Sequence, residues 1–283
     1  MSTMNYRHGY HAGNFADVVK HAVLARVLTY MKQKPRSFRV VDTHAGAGRY
    51  DLAGPEAGKT GEWQDGIGRI FDVDLPPSVA ELLAPYLDAV RATNESGKLQ
   101  IYPGSSLIAR HIMRPEDVLV ANELNTSEFE RLKRELGRAK NTAVLNIDAW
   151  HAVKSLLPPK ERRAVVLIDP PFEEKSEFAD LVVAVGEAMA RFPTGVYLIW
   201  YPLKDEAAAN QFVAQATARP GLEFLDVRLA VCAPFPGLGL TAAGLLVLNP
   251  PYRLRDELEI MLPVLRDRMA EGRGSAFDLR DVV

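Results

Sequence analysis

The chain has 283 residues, of which 47% are hydrophobic and 25% are charged, as is usual for a globular protein with a sizeable buried core. Its net charge of −2 counts against a protein that grips nucleic acid over a broad basic face, so any such contact needs a local patch. No apolar run is long enough to span a membrane, and the N-terminus lacks the features of a secretory signal. The one cysteine, Cys232, cannot form a disulfide within the chain. We therefore expect a cytoplasmic protein.

The first predicted element is a helix over about 15–33. Asn14 followed by Asp17 is a helix-start signal, and apolar residues then recur along the segment. The next segment, "FRVVDTH" (38–44), predicts a short buried strand that ends in the glycine turn "AGAG".

Residues 52–98 interrupt this pattern. The glycine-rich segment "YDLAGPEAGKTGEWQDGIGRIFD" contains no clear strand, and "LPPSVAELLAPYLDAVRATN" is typical of a helix. We therefore predict a small helical insertion after the first strand. Insertions on a rigid α/β scaffold often carry substrate contacts.

Strands and helices alternate from residue 118 onward. The predicted strands are 118–124, 142–148, 164–169 and 195–202, and the helices that follow them are 126–139, 149–157, 176–192 and 205–218. Two last strands, near 222–232 and 241–249, have no helix between them and should pair antiparallel, before a polar, helix-prone tail. The pattern predicts an α/β protein with a mostly parallel, seven-stranded sheet covered on both faces, in one domain over 1–283 with the insertion 52–98 inside it.

A glycine turn follows the first strand, in "VVDTHAGAGRY" (40–50). Gly46 and Gly48 would let a ligand approach the backbone closely. The turn fits a dinucleotide fingerprint poorly and lacks the Gly-Lys-Ser/Thr of a P-loop. It matches the first turn of S-adenosylmethionine (AdoMet) folds at Asp42, Gly46 and Gly48, with His44 at the first glycine position. A glycine turn without a ligand remains the alternative.

Acidic residues end the next two strands. Glu123 is placed to bind both hydroxyls of a ribose, and Asp148, with the Ala149 backbone, is placed to bind an adenine. The alternatives are structural, because an acid near a helix N-terminus favours the helix dipole and Asp is a preferred helix cap. Ligands of open parallel sheets lie at the carboxyl ends of the strands, where all three features fall.

The strand 164–169 ends in "DPPF" (169–172). Methylation of an amino group on a base needs acceptors for its two N–H groups, and the Asp169 carboxylate with the Pro170 carbonyl can supply them. Proline has no N–H and a fixed φ, so the loop is rigid, and Phe172 offers a face on which a base can stack. An ordinary turn is the alternative, since Asp and Pro are turn residues.

A second stretch, "NPPY" (249–252), fits the same bare pattern. It ends the last predicted strand, whereas Asp169 ends the strand expected beside the first one, where the sheet order reverses and a ligand crevice forms. We therefore assign the catalytic loop to Asp169–Phe172.

Several segments carry a resemblance to a known family. A [DNS]-P-P-[YFW] loop on such a sheet resembles the methyltransferases that act on the amino groups of adenine and cytosine. "YRHGYHAGNFADVVKH", "DTHAGAGRY", "YPGSS", "IDPPFE" and "GLTAAGLLVLNPP" closely resemble the RlmJ (YhiR) family of 23S rRNA adenine-N6 methyltransferases. This resemblance runs from Tyr6 to the C-terminal region.

The resemblance implies a Rossmann-like class I methyltransferase fold and a set of residue roles. Asp169 would be the catalytic acceptor for the amino group, and Tyr6 and His8 would meet the substrate base. The implied cofactor contacts are Lys20, His21, His44, Gly46, Ser105, Glu123, Asp148, Ala149 and Asp169. The implied cofactor is AdoMet, converted to S-adenosylhomocysteine without a metal.

The implied partner is 23S rRNA, free or in an early large-subunit assembly intermediate, bound by a monomer without DNA or membrane. A DNA adenine-N6 methyltransferase is the alternative substrate class, although no DNA-binding module is visible in the sequence. A nucleotide- or NAD-binding oxidoreductase and a non-catalytic RNA-binding protein are less consistent with the glycine turn and the intact DPPF. A metal site at His8, His11 and His21 lacks the usual cysteine or carboxylate partners at regular spacing.

Overall fold

The computed structural model describes residues 7–173, 176–234 and 239–281. The helices are α1 Phe15–Met31, α2 Ala57–Thr60, α3 Glu62–Asp65, α4 Pro77–Ala92, α5 Ser105–Ile112, α6 Thr126–Leu136, α7 Ala149–Leu156, α8 Glu177–Arg191, α9 Glu206–Ala216 and α10 Leu254–Met269, with short 3-10 helices at His8–Tyr10 and Ile67–Arg69. The strands are β1 Arg39–Asp42, β2 Arg49–Asp51, β3 Ile101–Pro103, β4 Val118–Asn122, β5 Thr142–Leu145, β6 Ala164–Ile168, β7 Val196–Pro202, β8 Phe224–Ala230, β9 Ala242–Leu248 and β10 Ala276–Asp281.

The central sheet has the order β10-β8-β9-β7-β6-β1-β4-β5. Strands β5, β4, β1, β6 and β7 are parallel, and β9, β8 and β10 are joined by antiparallel pairing. The chain runs from β1 to β4 and β5 on one side and then returns to β6 on the other side of β1. The order therefore reverses between β1 and β6, which is where such sheets bind ligands.

The predicted mostly parallel α/β sheet is confirmed, but its strand number was wrong. The sheet has eight strands in the described residues, because β10 pairs antiparallel with β8 along its whole length. Its sequence "AFDLRD" is partly charged and alternates between exposed and half-buried residues. An edge strand with one covered face carries only a weak apolar signal, so its sequence resembles a polar tail.

The insertion 52–98 lies between the two strands of a short antiparallel ribbon, β2 and β3, that the sequence did not reveal. Its buried side chains, including Ile67, Leu83 and Tyr86, belong to the same apolar cluster as those of α1. Helix α4 packs on α1, α5 and α10. The division into one domain with a subdomain stays a prediction.

Helix α1 begins at its predicted cap. The Asn14 side chain accepts hydrogen bonds from the N–H groups of Ala16 and Asp17, each at 3.0 Å. The helix is covered by α4, α5, α10 and β9, so it is buried around nearly its whole circumference. This packing carries the polar side chains of Lys20 and His21 into the interior, 4% and 1% exposed.

The two Pro-Pro stretches lie at opposite edges of the sheet. β6 is parallel to β1, so Asp169 lies at the carboxyl edge beside β1. β9 is antiparallel to β7, so Asn249 lies at the other edge. There Asn249 has a positive φ of 52° and its amide donates to the carbonyls of Pro193 and Gly195, at 2.8 and 2.7 Å. Asn tolerates that backbone conformation, so "NPPY" is explained as an anchored turn.

Candidate active site

A cavity of about 260 Å³ opens at the carboxyl edge of β1, β4, β5 and β6. It lies at the reversal of strand order. Its walls are formed by His8, Lys20, His21, His44, Ala45, Gly46, Tyr50, Gly104, Ser105, Glu123, Leu124, Asn125, Glu128, Asp148, Ala149, Trp150, Asp169, Pro170, Pro171, Ser176, Glu177 and Asp180. Most residues predicted from the separate motifs therefore line one cavity.

The glycine turn after β1 forms one wall. Gly46 has a φ of +59°, and a Cβ there would overlap the hydroxyl of Tyr50, which accepts a hydrogen bond from the N–H of Ala47 at 3.0 Å. Gly48 has a φ of +76° but packs on Leu132, outside the cavity lining. The positive φ and the close Tyr50 hydroxyl therefore require glycine at position 46, and the backbone of this glycine lines the cavity.

Glu123 is held at the end of β4 by backbone donors from two loops. Its Oε2 accepts from the N–H of Gly46 at 2.9 Å and its Oε1 from the N–H of Asn125 at 2.7 Å. Burial raises the pKa of this carboxyl. A carboxylate has about four acceptor positions, so two remain for a pair of hydroxyls in the cavity.

Asp148 ends the segment after β5 and caps α7. Its Oδ1 accepts from the N–H of His151 at 2.9 Å, so the structural alternative to a ligand contact is present in the molecule. Asp148 is exposed and also lines the cavity with the buried Ala149. The Trp150 ring lies edge-on to His44, with centroids 5.8 Å apart. One carboxylate oxygen thus caps the helix, and the other forms no hydrogen bond with the described residues.

A chain of charged side chains runs through the base of the cavity. Lys20 Nζ lies 2.5 Å from Asp169 Oδ2 and 2.8 Å from Asp17 Oδ1, and Asp17 Oδ2 lies 2.9 Å from His8 Nε2. Asp17 also accepts from the N–H of Gly13 at 2.9 Å. Lys20 and Asp17 are 4% and 2% exposed, so these ionic contacts are shielded from water.

The electrostatics keep Lys20 charged. Burial by itself would lower the pKa of Lys20, but attraction to Asp169 and Asp17 outweighs burial and raises that pKa. Burial likewise would raise the pKa of Asp17, while His8 and Lys20 hold it well below its usual range. Lys20 therefore positions Asp169 as a fixed cation and is not a proton donor or acceptor near neutral pH.

His44 is a neutral contact beside the catalytic loop. Burial lowers its pKa to about 4. Its Nδ1 lies 2.8 Å from the Thr43 hydroxyl and accepts from the N–H of Asp169 at 3.4 Å. The residue at the first glycine position of the turn therefore joins the end of β1 to the end of β6.

His21 lies deeper, on α1. Its Nδ1 is 2.7 Å from the Tyr102 hydroxyl, which is 2.9 Å from the hydroxyl of Tyr86. Burial lowers the pKa of His21 to about 3, so the ring is neutral. These contacts link α1 to the ribbon strand β3 and to the insertion helix α4 through hydrogen bonds inside the core.

Ser105 meets the cavity from the N-terminus of α5. Its hydroxyl donates to Asp42 Oδ2 at 2.6 Å, and Ser106 donates to the same oxygen at 2.7 Å. Burial raises the pKa of Asp42, whose Oδ1 has no hydrogen-bond partner among the residues that the structure describes. Because the Ser105 proton is committed to Asp42, its oxygen is an acceptor toward a ligand.

Comparison with known proteins gives the family. The model of the family described as "Ribosomal RNA large subunit methyltransferase D, RlmJ" matches residues 35–279. The chain belongs to the RlmJ family. It is 39% identical to ribosomal RNA large subunit methyltransferase J of Escherichia coli (strain K12), over 96% of this chain and 97% of the relative.

Two further proteins are similar to this chain over nearly its whole length. The methyltransferase J of Haemophilus influenzae (strain ATCC 51907 / DSM 11121 / KW20 / Rd) is 40% identical, over 96% of each chain. The crystal structure of a protein from Legionella pneumophila str. Philadelphia 1 superposes with a TM-score of 0.87 at 31% identity, over 95% of this chain and 98% of that one.

Phe172, one residue of the RlmJ-type prediction, is not part of the cavity lining. Phe172 has a φ of +53° and its ring packs edge-on to Phe178 and Trp200, with centroids 4.9 and 5.7 Å away. Its N–H donates to Glu177 at 3.0 Å. Tyr6 lies outside the described residues. Stacking of the base on Phe172 stays a prediction, and it requires the ring to turn from this packing.

Sequence reasoning missed the buried residue that aligns the RlmJ-family site. The Asn122 amide donates to the carbonyls of Thr43 and Ile147 at 3.1 and 2.9 Å, and its oxygen accepts from the N–H of Ile147 at 3.2 Å. Asn122 thus ties together the ends of β1, β4 and β5, which carry His44, Glu123 and Asp148. The signal was a polar residue at the end of an otherwise apolar strand.

Over residues 7–173, 176–234 and 239–281, no group of three histidine, cysteine or acidic side chains is arranged to hold a metal ion. Over the same ranges, no helix is long and apolar enough to cross a membrane.

Proposed function

We propose that this chain transfers a methyl group from AdoMet to the N6 amino group of an adenine in 23S rRNA. The observation that carries the proposal is the placement of the Asp169 carboxylate. It lies at the end of β6, at the reversal of strand order, where it lines the same cavity as Gly46 and is held by Lys20 at 2.5 Å. Membership of a ribosomal RNA methyltransferase family supports the same reaction.

The chemistry of the amino group explains why these residues are used. The lone pair of an exocyclic amine is delocalised into the ring, so the nitrogen must pyramidalise before it can attack. Asp169 and the Pro170 carbonyl accept the two N–H groups and stabilise that geometry. Asp169 Oδ2 is bound to Lys20, which leaves Oδ1 for the amine. No strong base is needed, because the methylated ammonium is acidic.

The cavity residues fit AdoMet by their donor and acceptor types. Glu123 would hold the ribose hydroxyls, Asp148 and the Ala149 backbone the adenine, and the bare backbone at Gly46 the chain that joins them. Ser105 and His44 would contact the methionine end. When bound, AdoMet supplies an electrophilic methyl group on its sulfonium. The protein residues hold the cofactor and the amine in line, and positioning of this kind lowers the barrier of a bimolecular transfer.

The position of His8 in the cavity lining supports a contact with the substrate. Its Nε2 is bonded to Asp17 and its ring lies edge-on to Tyr50, with centroids 5.1 Å apart. We assign His8, with Tyr6, to the substrate base. The substrate is free 23S rRNA or an early assembly intermediate in the cytoplasm, and the enzyme acts as a monomer.

Transfer of labelled methyl groups distinguishes RNA from DNA. Purified protein with tritiated AdoMet should label 23S rRNA from cells that lack an enzyme of this family, and should leave adenine-containing duplex DNA unlabelled. The relatives from Escherichia coli and Haemophilus influenzae are both named as ribosomal RNA methyltransferases, which favours RNA over DNA. Label in DNA with none in rRNA would overturn the proposal.

A further inference from the structure

The edge of the sheet opposite the cavity is strongly basic. Four loops lie there at the amino ends of β1, β4, β5 and β6, namely 32–38, 114–117, 137–141 and 159–163, and we call them the basic edge. They contain nine lysines and arginines and three acids, a net charge of +6 in a chain whose net charge is −2. Seven of the nine cations are exposed. The positive charge of this chain is therefore concentrated away from the acidic cavity.

The four loops form one continuous surface. The N–H of Val118 donates to the carbonyl of Phe38 at 3.0 Å, and the N–H of Leu119 donates to that of Asn141 at 2.9 Å. The N–H of Arg39 donates to the carbonyl of Arg163 at 2.9 Å. Adjacent strands lie about 4.8 Å apart, so four strand ends extend over roughly 15 Å. That length accommodates several nucleotides of a phosphate backbone.

Two partly buried guanidinium groups fix the loop 32–38 in place. Arg114 donates to the carbonyls of Lys34, Pro35 and Arg36 at 3.0, 3.3 and 3.1 Å. Arg163 also donates to the carbonyl of Arg36. The Lys34 and Arg36 side chains are exposed and form no hydrogen bond or ion pair with the described part of the chain. A rigid loop that presents cations is suited to an anion, because little conformational entropy is lost on binding.

An exposed aromatic ring lies beside the basic edge. Tyr252, from the anchored "NPPY" turn, is 73% exposed, lies edge-on to Tyr30 with centroids 5.8 Å apart, and has the Arg253 guanidinium 5.7 Å from its ring centroid. Tyr30 is close enough to Arg163 to influence its pKa, which burial and Arg114 lower. Cations next to an exposed aromatic ring are the combination that proteins use to bind unpaired nucleic acid.

We propose that the basic edge and Tyr252 bind the phosphate backbone and one unpaired base of the substrate rRNA, as a second RNA surface remote from the methylated adenine. This inference rests on the proposed function. β6 has five residues at about 3.3 Å each, so the two edges are roughly 17 Å apart. An RNA that contacts both edges must therefore extend past the target adenine and around the side of the sheet. The surface explains how a chain of net negative charge holds rRNA.

Charge reversal tests the surface. In Lys34→Glu/Arg36→Glu, filter binding of a 23S rRNA transcript should weaken at least tenfold at about 0.1 M salt, and the dependence of log affinity on log salt should become shallower by about 1.5, since two phosphate contacts are lost. The KM for rRNA should rise with an unchanged kcat. Lys98→Glu/Arg268→Glu, which changes the same charge on the insertion side, should leave affinity and slope near wild type.

Tyr252→Ala should weaken binding of the transcript about fivefold or more, with an unchanged salt slope, because stacking involves no counterions. Wild-type affinity and salt slope in both the charge-reversed and the Tyr252→Ala variants would overturn the proposal. If the variants bound RNA like wild type but bound phosphatidylserine vesicles more weakly, the basic edge would be assigned to a membrane surface instead. Filter binding measures RNA affinity without methyl transfer. The test of the basic edge therefore stays valid even if the chain proves to have no methyltransferase activity on rRNA.

Discussion

Lys20 and Asp169 are 149 residues apart in the chain but form the shortest ionic contact at the cavity. The sequence placed both near the cofactor site from their motifs, yet it gave no sign that one holds the other. The sequence pattern also indicated only a helix-start role for Asp17, although Asp17 bridges Lys20 to His8. Motifs show which chemical groups are present. Contacts between distant segments depend on tertiary packing, which local sequence patterns do not predict.

Asp169→Ala should lower the rate of methyl transfer by about 10²- to 10⁴-fold, since it removes an acceptor for the amino group. The affinity for AdoMet, measured by calorimetry, should remain nearly unchanged. Asp180→Ala, which removes an exposed carboxylate from the wall of the same cavity, is the control and should keep its activity. Retained turnover in Asp169→Ala would sink the catalytic assignment.

Glu123→Ala should weaken AdoMet binding by roughly 10- to 100-fold, because hydrogen bonds to a charged acceptor are lost. The rate at saturating AdoMet should change little. Glu123→Gln keeps an acceptor oxygen, so its affinity for AdoMet should lie between those of wild type and Glu123→Ala. If Glu123→Ala changed only the maximal rate, its assignment to the ribose would be wrong.

At the scale of elements, long and strongly patterned segments were predicted well. The helix after Asn14, the alternation from 118 onward and the antiparallel pairing of β8 with β9 are confirmed. The missed strands are β2, β3 and β10, which are short or lie at an edge. Such strands depend on a partner that is distant in sequence, so local patterns predict them poorly.

Asn122→Ala should lower the free energy of unfolding by roughly 2–4 kcal/mol, because it leaves buried backbone groups of Thr43 and Ile147 without partners. The KM for AdoMet should rise as the ends of β1, β4 and β5 lose their link. Asn146→Ala is the matched control, since its exposed amide also donates to two carbonyls, of Glu123 and Leu124. Urea unfolding that shows equal losses for both variants would contradict the role of Asn122.

At the scale of the whole molecule, charge is segregated. The carboxyl edge of the parallel sheet carries Glu123, Asp148 and Asp169, and the amino edge carries the basic loops. The net charge of the whole chain therefore counts against nucleic-acid binding, whereas the distribution of the charges is compatible with it. Composition sums over the surface, and binding depends on where the charges lie.

The buried histidines predict how stability depends on pH. His21 and His44 have folded pKa values of about 3 and about 4, below the usual 6.5, so the unfolded chain binds more protons between those values. Their contribution to stability is present above pH 6.5 and is lost as the pH falls toward 4. In His21→Gln, the slope of unfolding free energy over this range should decrease by about 1.4 kcal/mol per pH unit.

The comparison with wild type is needed because Asp42 and Glu123, whose pKa values are raised, act in the opposite sense. Urea unfolding at several pH values between 4 and 7 measures the difference. An identical slope in His21→Gln and wild type would show that His21 titrates normally in the folded chain.

The central claim is that the cavity methylates N6 of one adenine in 23S rRNA. Its most direct test is to label rRNA from cells lacking an enzyme of this family with tritiated AdoMet and the purified protein, then digest the RNA to nucleosides and map the labelled position. We predict that the label appears as N6-methyladenosine at a single position, and that Asp169→Ala incorporates it at least about 100-fold more slowly. Label in another nucleoside would contradict the account. Equal incorporation of label by Asp169→Ala and the wild-type protein would contradict it as well.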